Sequence, residues 1–220
     1  MNDDKIEKII ENYNPDILLH TIAHSNLDLC ETDHDITDRL HIDATKKIVN
    51  ACASINSKLI FLSTDAVFEG QLNKQYCETD IPNPINYYGK TKLEAEKIVL
   101  SGSINNVVLR TSVIYGWHEK SRFTNWILDY LKDNKSVDPF SDQFNTPTLI
   151  DDLVKVILKI IDKDISGLYH ATGKTCLNRY QFAILLAKRF SYDVSLIHSV
   201  TKLEKKQNAP RPISTCLDSI

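Results

Sequence analysis

Tyr88 and Lys92 stand four residues apart where a helical pattern begins, so both side chains fall on one helix face. A cationic lysine beside a phenol favours the phenolate and lowers its pKa from about 10. A tyrosine tuned in this way acts as general acid or base near neutral pH. Upstream, the apolar run Leu59-Ile60-Phe61-Leu62 ends in Ser63-Thr64-Asp65. That places a hydroxyl cluster at the carboxyl end of a buried strand, where α/β sheets hold their ligands. Ser63 or Thr64 could hydrogen-bond the substrate oxygen that Tyr88 protonates. Composition alone predicts about one Tyr-x-x-x-Lys pair in such a chain, so the weight lies in the context of strand end, Pro-rich loop and helix start.

The elements that must position these groups follow in chain order. Residues 5–13 carry Ile6, Ile9 and Ile10 on one face, the mark of a short amphipathic helix. Ile17-Leu18-Leu19 reads as a buried parallel strand. A helix is expected from about Asp35 to Ser54, a strand from Lys58 to Leu62, and a loop from Gly70 to Pro84. The Tyr88 helix should run to about Leu100, and Val107 to Arg110 should form a third strand. Further on, the pattern predicts helices at 123–132, 151–162 and 178–190, with Asn178 as N-cap, an irregular stretch over 136–147, and a strand at 167–171. Strands alternating with helices predict an α/β fold with a mostly parallel sheet.

Three other patterns carry less. Gly173-Lys174-Thr175 has one residue too many after Gly167 for a phosphate-binding loop. His20 and His24 straddle a strand end and have no ligand partners in sequence, so no metal site is expected. Asp151-Asp152 open a helix, where acidic groups meet the positive end of the helix dipole.

The chain has 220 residues, 42% hydrophobic and 25% charged, as in a globular protein of one domain or one domain with a small lobe. A net charge of −3 without a basic stripe argues against nucleic acid as the main partner. No apolar run approaches the ~18 residues of a membrane span, and Met1-Asn2-Asp3-Asp4-Lys5 does not read as a signal peptide. Cys30, Cys52, Cys77, Cys176 and Cys216 are scattered and odd in number, which reads as reduced thiols and a cytoplasmic, metal-free protein.

Ser63-Thr64-Asp65-Ala66-Val67-Phe68-Glu69-Gly70, then Glu78-Thr79-Asp80-Ile81-Pro82-Asn83-Pro84, then Asn86-Tyr87-Tyr88-Gly89-Lys90-Thr91-Lys92 resemble the extended short-chain dehydrogenase/reductases. Within them the chain is most similar to the dTDP-4-dehydrorhamnose reductase-like family, which includes the non-catalytic regulatory subunit of methionine adenosyltransferase. The resemblance implies a Rossmann-like sheet with helices on both faces over residues 1–116 and a mostly substrate-binding lobe over 117–220, with segments interleaving. It implies NADPH or NADH as cofactor and a nucleotide-sugar substrate carrying a 4-keto group. Thr64, Tyr88 and Lys92 would be catalytic. Ala23, Ser63, Tyr88, Lys92 and Thr111 would hold the cofactor. Thr64, Asp65, Val113 and Gln143 would meet the substrate. Ala66, Val113 and Asp43 stand where family members usually carry a Tyr, an aromatic and an Asn.

The family's glycine-rich strand–turn–helix does not occur: the six glycines are at 70, 89, 102, 116, 167 and 173. Aligned to the family, the chain begins past that segment, so it reads as a truncated Rossmann-like fold. The 17–19 strand is then expected at a sheet edge, open to self-pairing, a homodimer or a covering partner. The chain by itself is expected to bind NAD(P)H very weakly and to show no measurable reduction. A non-catalytic binding or regulatory subunit, or an inactive fragment, is the alternative.

Overall fold

The computed structural model describes residues 5–219, so the acidic start at 1–4 lies outside the described residues. In chain order the first half comprises α1 (Lys5–Tyr13), β1 (Ile17–His20), α2 (Leu27–Thr32), α3 (His34–Asp38), a π-helical turn (Arg39–Asp43), α4 (Ala44–Ser54), β2 (Lys58–Thr64), α5 (Tyr87–Gly102) and β3 (Val107–Thr111). The rest comprises β4 (Ile114–Tyr115), α6 (Arg122–Lys132), β5 (Phe144–Asn145), β6 (Thr148–Leu149), α7 (Ile150–Asp162), β7 (Gly167–His170), β8 (Leu177–Asn178) and α8 (Arg179–Arg189).

The main sheet is parallel, in the order β1-β2-β3-β7. Its strands read as continuous apolar runs because both faces are covered. Leu59, Phe61 and Val108 pack under Ile10 of α1, Ile48 and Val49 of α4, and Ala95 and Val99 of α5. Alternate residues Ile60, Val107 and Leu109 point to the other face and meet Leu153, Ile157 and Ile160 of α7. The expected α/β fold with helices on both faces is therefore present.

The helix expected at 151–162 falls within the 117–220 stretch that the resemblance assigns mostly to the substrate-binding lobe. It covers the main sheet instead. Its spacing shows which face is apolar, but the crossover that carries it back over β2 and β3 is a tertiary event. α6 and α8 pack on each other in a separate, smaller core, Ile127 and Leu131 against Ala183 and Ala187, and this part of the chain is called the smaller lobe below.

Three further expectations change. The helix expected from 35 to 54 runs without a break from His34 to Ser54 but contains a π-helical turn at Arg39–Asp43, and α2 precedes it. The irregular stretch at 136–147 contains β5, which pairs antiparallel with β8. Cys176 and Cys216 form a disulfide with Cα atoms 5.5 Å apart, correcting the reading of all five cysteines as reduced. The two are 40 residues apart in sequence and meet only because β8 is brought beside the C-terminal segment.

β1 pairs with β2 alone, so Ile17–His20 is an edge strand among the described residues, as expected. Leu19 on that strand is 45% exposed. No helix of the described residues is long and apolar enough to cross a membrane.

Candidate active site

The carboxyl ends of β2 and β3 open into a cavity of about 660 Å³ whose other wall comes from the smaller lobe. Tyr88 and Lys92 enter it from α5. Asn86 caps that helix by accepting from the Gly89 amide at 2.9 Å, and its side-chain amide donates to the Pro210 carbonyl at 3.0 Å. Position 89 must be glycine for a steric reason: a Cβ there would lie 2.1 Å from the Ala66 carbonyl oxygen. That close approach brings the start of α5 against the turn after β2, and Tyr88 and Thr64 line the same cavity there.

The electrostatics differ from the expectation. Tyr88 is not lowered: burial pushes its pKa up to about 12, with the Thr64 hydrogen bond pulling the other way. Lys92 is itself pulled down to about 7 by burial, against the opposing pull of Glu96. Its ammonium donates to the Leu62 carbonyl at 2.8 Å and lies 3.9 Å from the Phe61 ring centre. Helical spacing puts Tyr88 and Lys92 on one face, but desolvation dominates both groups, and the lysine is not among the influences on the phenol. The phenol therefore keeps its proton across the ordinary pH range, which suits a proton donor.

Behind these groups lies a buried polar layer. Ser63 donates to Glu96 at 2.5 Å, and Arg110 grips the same carboxylate with bonds of 2.9 and 2.7 Å. Asp65 ties the two halves together. One oxygen accepts from Ser112, Asn145 and Thr215 at 2.7, 2.8 and 2.6 Å, and the other accepts from Thr64 at 3.1 Å. Asp65 lines the cavity, but its acceptor capacity is spent on the protein itself.

Thr64, Tyr88, Lys92, Ala23, Ser63, Thr111, Asp65, Val113 and Gln143 all line this one cavity. Val113 has φ +42°, a left-handed conformation that a β-branched residue rarely takes and that costs about 1–3 kcal/mol. The Thr148 amide donates to its carbonyl, and Ile114 beside it pairs with Thr148 in the β4–β6 ladder, which together hold the strain. Gln143 donates to Gln207 at 2.6 Å. Asp43 is exposed and outside the lining.

Sequence reasoning missed two sets of residues. One is the cations Arg179, Lys205 and Arg211, which line the lobe side. Arg211 pairs with Asp28 at 3.1 Å, and the Arg179 guanidinium lies 5.1 Å from the Phe123 ring centre. The other is His41, in the π-helical turn. Its Nε2 accepts from the His24 amide at 2.8 Å, so Nδ1 carries the proton and donates to Thr91 at 2.8 Å. Burial and the nearby Lys92 hold its pKa down at about 4, so the ring is neutral. His41 thus ties the loop after β1 to α5 beside Tyr88. A π-helical turn often marks a functional site, but no sequence periodicity announces one.

The described residues fit one end of a dinucleotide better than the other. Tyr88, Lys92, Ser63 and Thr21 line the cavity with hydroxyl and ammonium groups of the kind that would hold a ribose. The helix after β1 does not offer a free N-terminus for a pyrophosphate, because the Asn26 side chain already accepts from the Asp28 and Leu29 amides.

A parallel Rossmann-like sheet, with a threonine at one strand end facing a Tyr-x-x-x-Lys pair on the next helix, is the architecture of the short-chain dehydrogenase/reductase class. Residues 1–219 match the family model described as RmlD substrate binding domain, and the chain belongs to that family. It is 30% identical over 228 residues to a dTDP-4-dehydrorhamnose reductase of Aggregatibacter actinomycetemcomitans, covering 99% of this chain and 77% of that protein. It is 32% identical to methionine adenosyltransferase 2 subunit beta of Bos taurus, covering 99% of this chain and 67% of that protein. The crystal structure of a Bacillus anthracis dTDP-4-dehydrorhamnose reductase in complex with NADP superposes with a TM-score of 0.94 at 25% identity, covering 100% of this chain and 77% of that one.

Proposed function

We propose that this cavity serves the reduction of the 4-keto group of a nucleotide-activated deoxysugar, with NADPH or NADH as hydride source. The observation that carries the reading is the placing of Thr64, Tyr88 and Lys92 in the lining of one cavity at the strand ends, and the raised pKa of the half-buried Tyr88 phenol suits it as the proton donor. The nicotinamide supplies hydride when bound. Tyr88 donates the proton to the carbonyl oxygen as the alkoxide develops, and Thr64 orients that oxygen by a hydrogen bond. Lys92 holds the nicotinamide ribose and, when protonated, favours loss of the Tyr88 proton. Ser63, Ala23 and Thr111 border the cofactor, Val113 and Gln143 border the sugar, and Arg179 and Lys205 face the diphosphate. Asp65 holds the two walls in register rather than binding substrate. The division of labour falls near residue 116, with α7 and β7 returning to the cofactor side.

The reading extends to a cytoplasmic protein with no membrane or nucleic-acid partner, whose β1 edge is covered by a second copy or another chain. Because the α2 N-terminus is closed by Asn26, cofactor binding by these residues alone is weak, and turnover is to be measured at saturating cofactor. The 32% identity to a methionine adenosyltransferase subunit favours a second reading, in which the same cavity binds without turnover. The test is loss of reduced-nicotinamide absorbance on adding a dTDP-4-keto-6-deoxyhexose, with calorimetric titration of NADPH, NADH and dTDP alongside. Sugar-dependent oxidation that Tyr88→Phe abolishes supports reduction. Binding without oxidation favours the second reading. If dTDP does not bind at all, both readings fail.

A further inference from the structure

A second cavity, of about 640 Å³, lies behind the wall that bounds the first. β4 sends Ile114 into the first cavity and its neighbour Tyr115 into the second, as alternation along a strand requires. α6 and α8 divide in the same way: Trp126 and Arg179 face the first, Leu128 and Phe182 the second. The volume is that of a small-molecule site.

Its chemistry is one-sided. The interior is aromatic and aliphatic, with Tyr115, Leu128, Phe182, Leu186 and Phe190. At the rim stand Lys174 and Arg189, and no Asp or Glu lines the cavity. Neither cation has an ion-pair or hydrogen-bond partner among the described residues. Trp117 also stands at the rim, 78% exposed with its ring edge-on to Phe190 at 5.2 Å. The wall holding Lys174 is built rather than loose. Gly173 packs so close to the Pro147 carbonyl that a Cβ would lie 2.1 Å from the oxygen. Cys176 is tied by its disulfide to Cys216, and Asn178 closes a capping box with Gln181.

We propose that this cavity binds a small amphipathic anion, an aromatic or aliphatic acid whose apolar body lies on Phe182 and Leu186 and whose charged head meets Lys174 and Arg189. Burial of the body supplies the affinity. The two unpaired cations select an acid over a neutral molecule of the same shape, since a charge-assisted hydrogen bond is stronger than a neutral one. The inference stands apart from the reductase reading, because it uses no residue of the first cavity.

The probe is anilinonaphthalene sulfonate, titrated by fluorescence into the full chain with and without dTDP, and the site in question is the dTDP-insensitive one. One saturable site is expected. Arg189→Gln and Lys174→Gln should each weaken it by roughly tenfold. A neutral anilinonaphthalene should bind at least tenfold more weakly, and Leu186→Trp should block the cavity with an unchanged circular dichroism spectrum. The two rim variants decide the matter if Leu186→Trp does not fold, since both side chains are exposed. Absence of saturable binding, equal affinity in the rim variants, or equal affinity for the neutral probe would overturn the proposal.

Discussion

The Lys92 ammonium nitrogen lies 2.8 Å from the carbonyl oxygen of Leu62 and donates to it. One backbone acceptor is a small return for burying a charge, and burial pulls the Lys92 pKa from 10.5 to about 7. The unfolded chain therefore binds this proton more tightly than the folded one. The resulting destabilisation is complete below about pH 7 and fades as pH rises towards the ordinary lysine value. Lys92→Met should raise stability most at acidic pH, with the gain shrinking on the alkaline side. Urea unfolding of both proteins at several pH values checks this, and a gain that grows with pH contradicts it.

Tyr88→Phe should lower turnover by about 10²–10⁴, the usual worth of a general acid, while dTDP affinity stays close to that of the parent. Because burial holds the phenol up near 12, its donor form persists through the ordinary pH range. The rate should therefore show no alkaline limb belonging to Tyr88 in that range. Near-normal turnover by the variant would assign the proton to another group.

Glu96→Gln should destabilise the fold by about 3–5 kcal/mol, the cost of stranding a buried charge. Arg110 is 3% exposed, and its NH1 already lacks a partner among the described residues, so the guanidinium has no other carboxylate at hand. Arg110→Met together with Glu96→Gln should recover much of the loss. Chemical denaturation of the single and double variants measures both effects. A double variant no more stable than Glu96→Gln would mean the pair matters for shape rather than charge.

Reduction of the Cys176–Cys216 bond should lower stability by about 2–4 kcal/mol, through the entropy the cross-link removes from the unfolded chain. The same shift should appear in Cys216→Ser without any reductant. Melting with and without a dithiol tests it, and a melting temperature indifferent to dithiol would show that the bond carries no stability.

Sequence alone determined the elements whose cause is local. Continuous apolar runs set β2 and β3, and the 3.6-residue period set α1, α6, α7 and α8. Asn178 announced its helix because a cap acts within three residues, and the Asn86 cap emerged with the structure. The nine residues named from the sequence all line one cavity, Thr64 from a strand end and Tyr88 and Lys92 from one helix turn.

What only the tertiary structure decided depends on groups far apart in the chain. The cover of α7 on the sheet, the Cys176–Cys216 pairing and the approach of Arg179 and Lys205 to the cavity all join segments with no local signal between them. The protonation of Tyr88 and Lys92 belongs with these. Adjacency on a helix predicts that the lysine lowers the phenol, but a pKa answers to the whole surrounding volume. Here burial, assembled from β2, α5 and the lobe, dominates both groups.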